Sequence, residues 1–115
     1  LYVNWRNAYV PTYIPQGYKI YTLSNTADLK AIDYINDEND IITFYESNSS
    51  MENTLDTENA SLIKNIDIND NEGLLVVKGE AVSIAWSDNT RIFMLHTQLS
   101  IEETVKIAES VIYIE

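Results

Sequence analysis

The chain has 115 residues, 45% hydrophobic and 22% charged, which suits a single domain over 1–115 with one modest core. Eighteen acidic against seven basic side chains give a formal charge of −11, so the surface argues against binding nucleic acid or anionic lipid. The absence of cysteine excludes thiol catalysis, disulfides and thiolate metal sites together, and no apolar run reaches the ~20 residues that span a bilayer.

The opening stretch holds six of the twelve aromatic residues by position 21. Tyr2, Trp5 and Tyr9 recur at helical spacing, so a short N-terminal helix is expected, ended by Pro11. Two readings suit these side chains. Tyr2, Trp5, Tyr9 and Tyr13 exposed in a row would make a stacking platform for a sugar. Packed instead, they would cap an open sheet face, each burying ~150–250 Å² with its polar tip wet. The next segment, Ile14-Pro15-Gln16-Gly17, reads as a tight turn.

From Tyr18 the apolar period changes from helical to two. Strands are expected over 18–24, 29–36 and 41–47, with the "DEND" of 37–40 as a hairpin loop. Residues 48–60 are polar and aperiodic and form the longest expected loop. Strand signals resume at 61–68, 73–78, 81–87 and 91–97.

Between two of these runs, "DINDNEG" (67–73) looks like the start of a calcium loop. An EF-hand loop needs Gly at its sixth position and a bidentate Glu at its twelfth. Here those positions hold Glu72 and Lys78, and the flanks are strand-like, so the cluster reads as a turn, with Gly73 as a turn glycine. Further on, a two-residue loop at Asp88-Asn89 would pair Ser87 with Thr90. Trp86 would then face Arg91, Ile84 would face Phe93 and Val82 would face Leu95, a large apolar face expected to be core. Ala81, Ser83, Ala85, Ile92, Met94 and His96 would lie on a thinner, mixed face.

The chain closes with an amphipathic helix. Ser100 and Glu103 make a capping box, and Ile101, Val105, Ala108 and Ile112 form an apolar stripe widened by Ile107 and Val111. The expected fold class is therefore α+β: an antiparallel meander of six to seven strands, covered on one face by this helix.

Residues with catalytic potential are few. His96 is the only histidine, and on a mixed sheet face it reads as half-buried packing. The carboxylate clusters Asp37/Glu38/Asp40, Asp67/Asp70/Glu72 and Glu102/Glu103 sit in turns or a helix start. They are alike and solvated, whereas hydrolysis wants two carboxyls in unlike surroundings. No catalytic set, metal site or cofactor is expected.

"YVPTYIPQGYK", "NEGL", the Trp-Ser-Asp at 86–88 and the closing "LSIEETVKIAES" follow one another in an order that resembles the bacterial domain of unknown function 4367. The resemblance implies a C-terminal extracytoplasmic domain of a membrane-anchored Gram-positive protein, with its anchor upstream of Leu1 and some relatives built like anti-sigma factors. It supplies no catalytic residues. The functional expectation is a non-enzymatic sensor or binding domain for an unknown envelope ligand or protein partner. The alternative is a cell-envelope carbohydrate-binding module that uses the N-terminal aromatics.

Overall fold

The computed structural model describes residues 5–48 and 55–115. Seven strands form one antiparallel sheet: β2 (Lys19–Asn25), β3 (Leu29–Ile35), β4 (Ile41–Asn48), β5 (Leu62–Ile68), β6 (Asn71–Lys78), β7 (Ala81–Ser87) and β8 (Arg91–Thr97). Their spatial order is β2-β3-β4-β8-β7-β6-β5. The sheet is thus two meanders, β2–β4 and β5–β8, joined where β4 pairs with β8. A second sheet of two strands pairs β1 (Ala8–Pro11) with β9 (Val111–Ile114), and α1 (Ile101–Glu109) lies between the last long strand and β9. This is the expected α+β class, and no described helix is long and apolar enough to cross a membrane.

Asparagine makes most of the turns. Asn39, Asn69, Asp70 and Asn89 all take the left-handed backbone that Asn and Asp tolerate best among residues with a Cβ. The calcium-like cluster is the β5–β6 hairpin: Ile68 pairs with Asn71, and Asn69-Asp70 form the two-residue loop with φ of 49° and 70°. The Asn69 amide also donates to the Glu109 carbonyl (3.0 Å), so this turn caps the end of α1. Gly73 is not a turn residue. It sits inside β6 opposite Trp86, where an added Cβ would lie 3.2 Å from the Ala85 carbonyl oxygen.

The β7–β8 hairpin corrects the expected register. Asp88 N–H donates to the Arg91 carbonyl (3.2 Å), so the loop is Asn89-Thr90, one residue later than expected. Trp86 therefore faces Phe93, and Ile84 faces Leu95. The cause is the Asp88 side chain, which accepts from the Thr90 N–H, the Thr90 hydroxyl and the Arg91 N–H at 2.9–3.0 Å. A loop moved by one residue shifts each partner by two, so every side chain keeps its expected face.

No helix forms at the N-terminal end of the described chain. Tyr9 and its neighbours are extended because Ala8–Pro11 pairs with Val111–Ile114, and the Tyr9 N–H donates to Glu46 Oε1 of β4 (2.8 Å). Tertiary pairing overrides the local helical spacing. The same pairing shortens the C-terminal helix. Its start is as expected, with the Ser100 side chain accepting from Glu103 N–H (3.1 Å), but it stops at Glu109. The Ser110 hydroxyl donates to the Ile107 carbonyl and accepts from the Thr12 and Tyr13 amides, tying the helix end to the N-terminal segment. The buried stripe is Thr104, Ile107 and Ala108, while Ile101 and Ile112 are exposed.

α1 packs on β7, β8, β5 and β1. The core on this side of the sheet holds Ile32, Tyr34, Ile42, Phe44, Leu75, Ile84, Trp86, Phe93 and Leu95, each at most 5% exposed, with the N-terminal Trp5, Tyr9, Tyr13, Ile14 and Tyr18 also packed against it. Phe93 and Trp86 stack at 5.4 Å between ring centroids. One charge is buried with them. Glu46, 2% exposed, takes the Tyr9 amide on one oxygen and Arg91 Nε at 3.5 Å on the other, which satisfies a carboxylate the core could not otherwise hold.

Candidate binding face

Side chains alternate across a strand, so the residues between the core positions form a second face. No described helix covers it. The pairings place Thr22 beside Asp33, Asp33 beside Thr43, Thr43 beside His96, and His96 beside Ser83. Five polar side chains therefore stand in one row across five adjacent strands, a span of about 19 Å at the usual strand spacing. Beside it runs an apolar row, Ala31, Tyr45, Met94, Ala85 and Leu74, all half-buried.

The polar row is internally bonded. The Thr22 hydroxyl donates to Asp33 Oδ2 and the Thr43 hydroxyl to Asp33 Oδ1, both at 2.6 Å. A carboxylate only accepts, so both threonine protons point at Asp33 and their oxygen lone pairs are left for another donor. Ser83 Oγ lies 2.6 Å from His96 Nδ1, and Tyr45 meets the imidazole edge-on at 5.9 Å. Burial pushes the His96 pKa below its ordinary 6.5, so the ring is neutral at pH 7, with one nitrogen donating and the other accepting.

Two open depressions meet at His96. One, about 360 Å³, is bounded by Ile41, Thr43, Thr97 and Gln98. The other, about 160 Å³, is bounded by Leu55, Val76, Lys78 and Ser83. Leu55 belongs to the connection expected to be a long loop, of which residues 49–54 lie outside the described residues. Asp56, which also lines the smaller depression, is engaged by Lys78 at 2.8 Å. The Ser83–His96 pair thus has a carboxylate near it that is committed elsewhere. Among the described residues, no three of His, Cys, Asp and Glu gather as a metal set.

The expected aromatic site lies elsewhere. Tyr2 is outside the described residues, and Trp5, Tyr9 and Tyr13 are half-buried against the core, on the helix side of the sheet. Tyr9 packs edge-on to Phe93 (4.8 Å), and its hydroxyl donates to Asp88 Oδ2 (2.9 Å). The Tyr13 hydroxyl donates to Glu103 Oε1 (2.9 Å), and Lys106 Nζ lies 4.3 Å from its ring centroid. Glu103 thereby spends its carboxylate on Tyr13. Partial burial alone would raise the Asp88 pKa, but the Thr90 and Arg91 amides and the Tyr9 hydroxyl outweigh it and hold the carboxyl below its ordinary value.

The sequence reading reached His96 and the thinner face but missed Thr22, Asp33, Thr43 and Ser83 as a set. Alternation alone marks each as off-core, yet their alignment depends on the β4–β8 pairing, which joins segments about fifty residues apart. No curated protein matches the chain. The profile of the domain of unknown function DUF4367 matches residues 8–111, nearly the whole chain, and the protein belongs to that family.

Proposed function

We propose that the domain is a non-enzymatic binding or sensing module, held outside the cell by an anchor upstream of Leu1, and that the open sheet face receives its ligand. The observation that carries this reading is the hydrogen-bonded polar row beside an apolar row, on a face that no described helix covers. Convergent polar groups next to apolar surface are what a binding site needs. The extracytoplasmic, Gram-positive setting rests on what the family resemblance implies.

The face also has a route to the terminal segment. Tyr45 and Glu46 are successive residues of β4 that point to opposite sides. Tyr45 touches His96 on the open face, while Glu46 holds the Tyr9 amide of β1 in the core. A ligand that moves β4 would move the contact that seats β1. The rival site at Tyr2, Trp5, Tyr9 and Tyr13 is less well supported, because Tyr9 and Tyr13 already spend their rings and hydroxyls on protein partners.

Two measurements test the reading. Protease shaving of intact cells should remove the domain while sparing a cytosolic control; protection that ends only on lysis would refute the setting. In a ¹H–¹⁵N spectrum, a cell-envelope extract should perturb Thr43, Tyr45, Met94 and His96. Perturbation confined to Trp5, Tyr9 and Tyr13 would move the site to the aromatics.

A further inference from the structure

The two edges of the seven-stranded sheet are guarded unequally. At one end lies β5, with Lys64 and Asp67 inside the strand. Charges placed there are how sheets resist pairing with another chain. At the other end lies β2, which has no charge or proline from Ile20 to Asn25 and is exposed at six of its seven residues. Its Tyr21 and Leu23 are 59% and 50% exposed. Among the described residues, no strand pairs with the outer side of β2. The chain that leaves β4 at Asn48 returns at Leu55 beside Val76 and His96, on the side of β4 away from β2.

The β2–β3 hairpin fixes what this edge offers. The Thr26 N–H donates to the Leu29 carbonyl (2.9 Å). Bonding alternates along an antiparallel pair, so Thr22 and Ser24 also bond toward β3, while Leu23 and Asn25 turn their N–H and C=O outward. The bulge of β2 falls between Ile20 and Thr22, at one end of this regular stretch. Charge then selects the occupant. Residues 19–35 hold Lys19 and Lys30 against Asp28 and Asp33, so the hairpin is neutral in a chain of net charge −11. Two copies meet here with less repulsion than across the rest of so acidic a chain. In an antiparallel meeting, the Lys19 end of each copy also lies against the Asp28 end of the other.

We propose that β2 is a self-association edge: two copies pair antiparallel through it about a two-fold axis at Leu23, joining their sheets into one. Leu23 then faces Leu23, and Tyr21 of each copy lies beside Asn25 of the other. A two-fold axis at Ser24 would set Leu23 opposite Asn25 and cover less apolar surface. So short a ladder covers less than the about 1,200 Å² of a standard interface, and the dimer is transient. It does not depend on the binding-face reading.

The chain has no cysteine, so a single introduced thiol reports the pairing directly. Opposed residues of a hydrogen-bonded antiparallel pair have Cα atoms about 5.5 Å apart, within disulfide range. Under mild oxidation, Leu23→Cys is expected to form a covalent dimer at least about 10-fold faster than Ile63→Cys, whose thiol stands on the β5 edge. Sedimentation of the parent chain up to about 1 mM should show a monomer–dimer equilibrium. Leu23→Lys sets two like charges face to face and should stay monomeric, its amide spectrum unchanged outside β2 and β3. Ile63→Lys should dimerise like the parent.

A parent chain still monomeric at the highest concentration would overturn the proposal. Equal cross-linking rates for the two thiols would do the same, as would a Leu23→Lys chain that still dimerises. Association lost in both lysine variants, with parent oligomers growing past the dimer, would overturn it in favour of head-to-tail pairing of β2 with β5.

Discussion

The two faces of the seven-stranded sheet are made by the same strands, residue by alternate residue, yet they solve opposite problems. On the covered face, Phe44, Trp86, Phe93 and Leu95 are almost wholly removed from water, and the one carboxylate among them, Glu46, is fully engaged. On the other face, Tyr45, Met94 and Ala85 are half-buried, Ser47 and Val76 are buried, and the polar groups bond sideways to one another across strands. The first face is closed by area and packing. The second keeps surface and lone pairs in reserve. The difference teaches that the large apolar core and the bonded polar row are separated by strand parity rather than by domain or loop.

That division can be broken in order of expected effect. Phe93→Ala, which removes a 2%-exposed ring packed against Trp86, Phe44 and Tyr9, is expected to cost about 3–5 kcal/mol by urea denaturation. Glu46→Leu leaves the Tyr9 amide and Arg91 without their acceptor inside the core, at about 3 kcal/mol, with loosening of β1 visible in amide hydrogen exchange. Glu46→Gln keeps an oxygen for Tyr9 and should cost less.

Thr104→Val is expected to cost about 1–2 kcal/mol, because the buried Thr104 hydroxyl donates to the Ser100 carbonyl and bonds Thr97. On the open face, Met94→Thr should cost under about 1 kcal/mol in the same assay. A cost above that of Thr104→Val would dissolve the distinction between the faces.

The smallest effect is one of pH. Burial lowers the folded-state pKa of His96 below 6.5, so near that pH the unfolded chain binds more protons than the folded one, and stability rises with pH. The His96 contribution is complete above pH 6.5 and is lost as the pH falls from there toward the folded-state value. Urea midpoints between pH 7.5 and 5 should decline less in His96→Gln than in the parent chain. Equal slopes would show that the ring is as well solvated folded as unfolded.

Much of this was legible in advance, and the exceptions have physical causes. Alternation in 81–87 and 91–97 placed Trp86, Phe93 and Leu95 on the core face before the register was known, because parity survives a two-residue shift. The loop position was misjudged by one residue because the Asp88 carboxylate organises the turn behind it. The N-terminal spacing of Tyr2, Trp5 and Tyr9 looked helical, but Ala8–Pro11 answers to a partner about a hundred residues away. The last apolar positions of the expected helix, Val111 and Ile112, belong to that partner strand for the same reason. Of the candidate site, His96 was visible as a lone histidine on a mixed face, whereas its alignment with Thr43 and Asp33 was not.

What the amino-acid order determined by itself is local and periodic: strand parity, the Asn-rich turns, the Ser100 cap and an acidic net charge. These follow from φ preference, side-chain alternation and charge, which act over a few residues or on the composition alone. The tertiary structure decided which meander lies beside which, where α1 stops, that β1 is a strand, and that five polar side chains meet in one row. Each of those depends on hydrogen bonds and packing between segments far apart in the chain, which no local preference encodes.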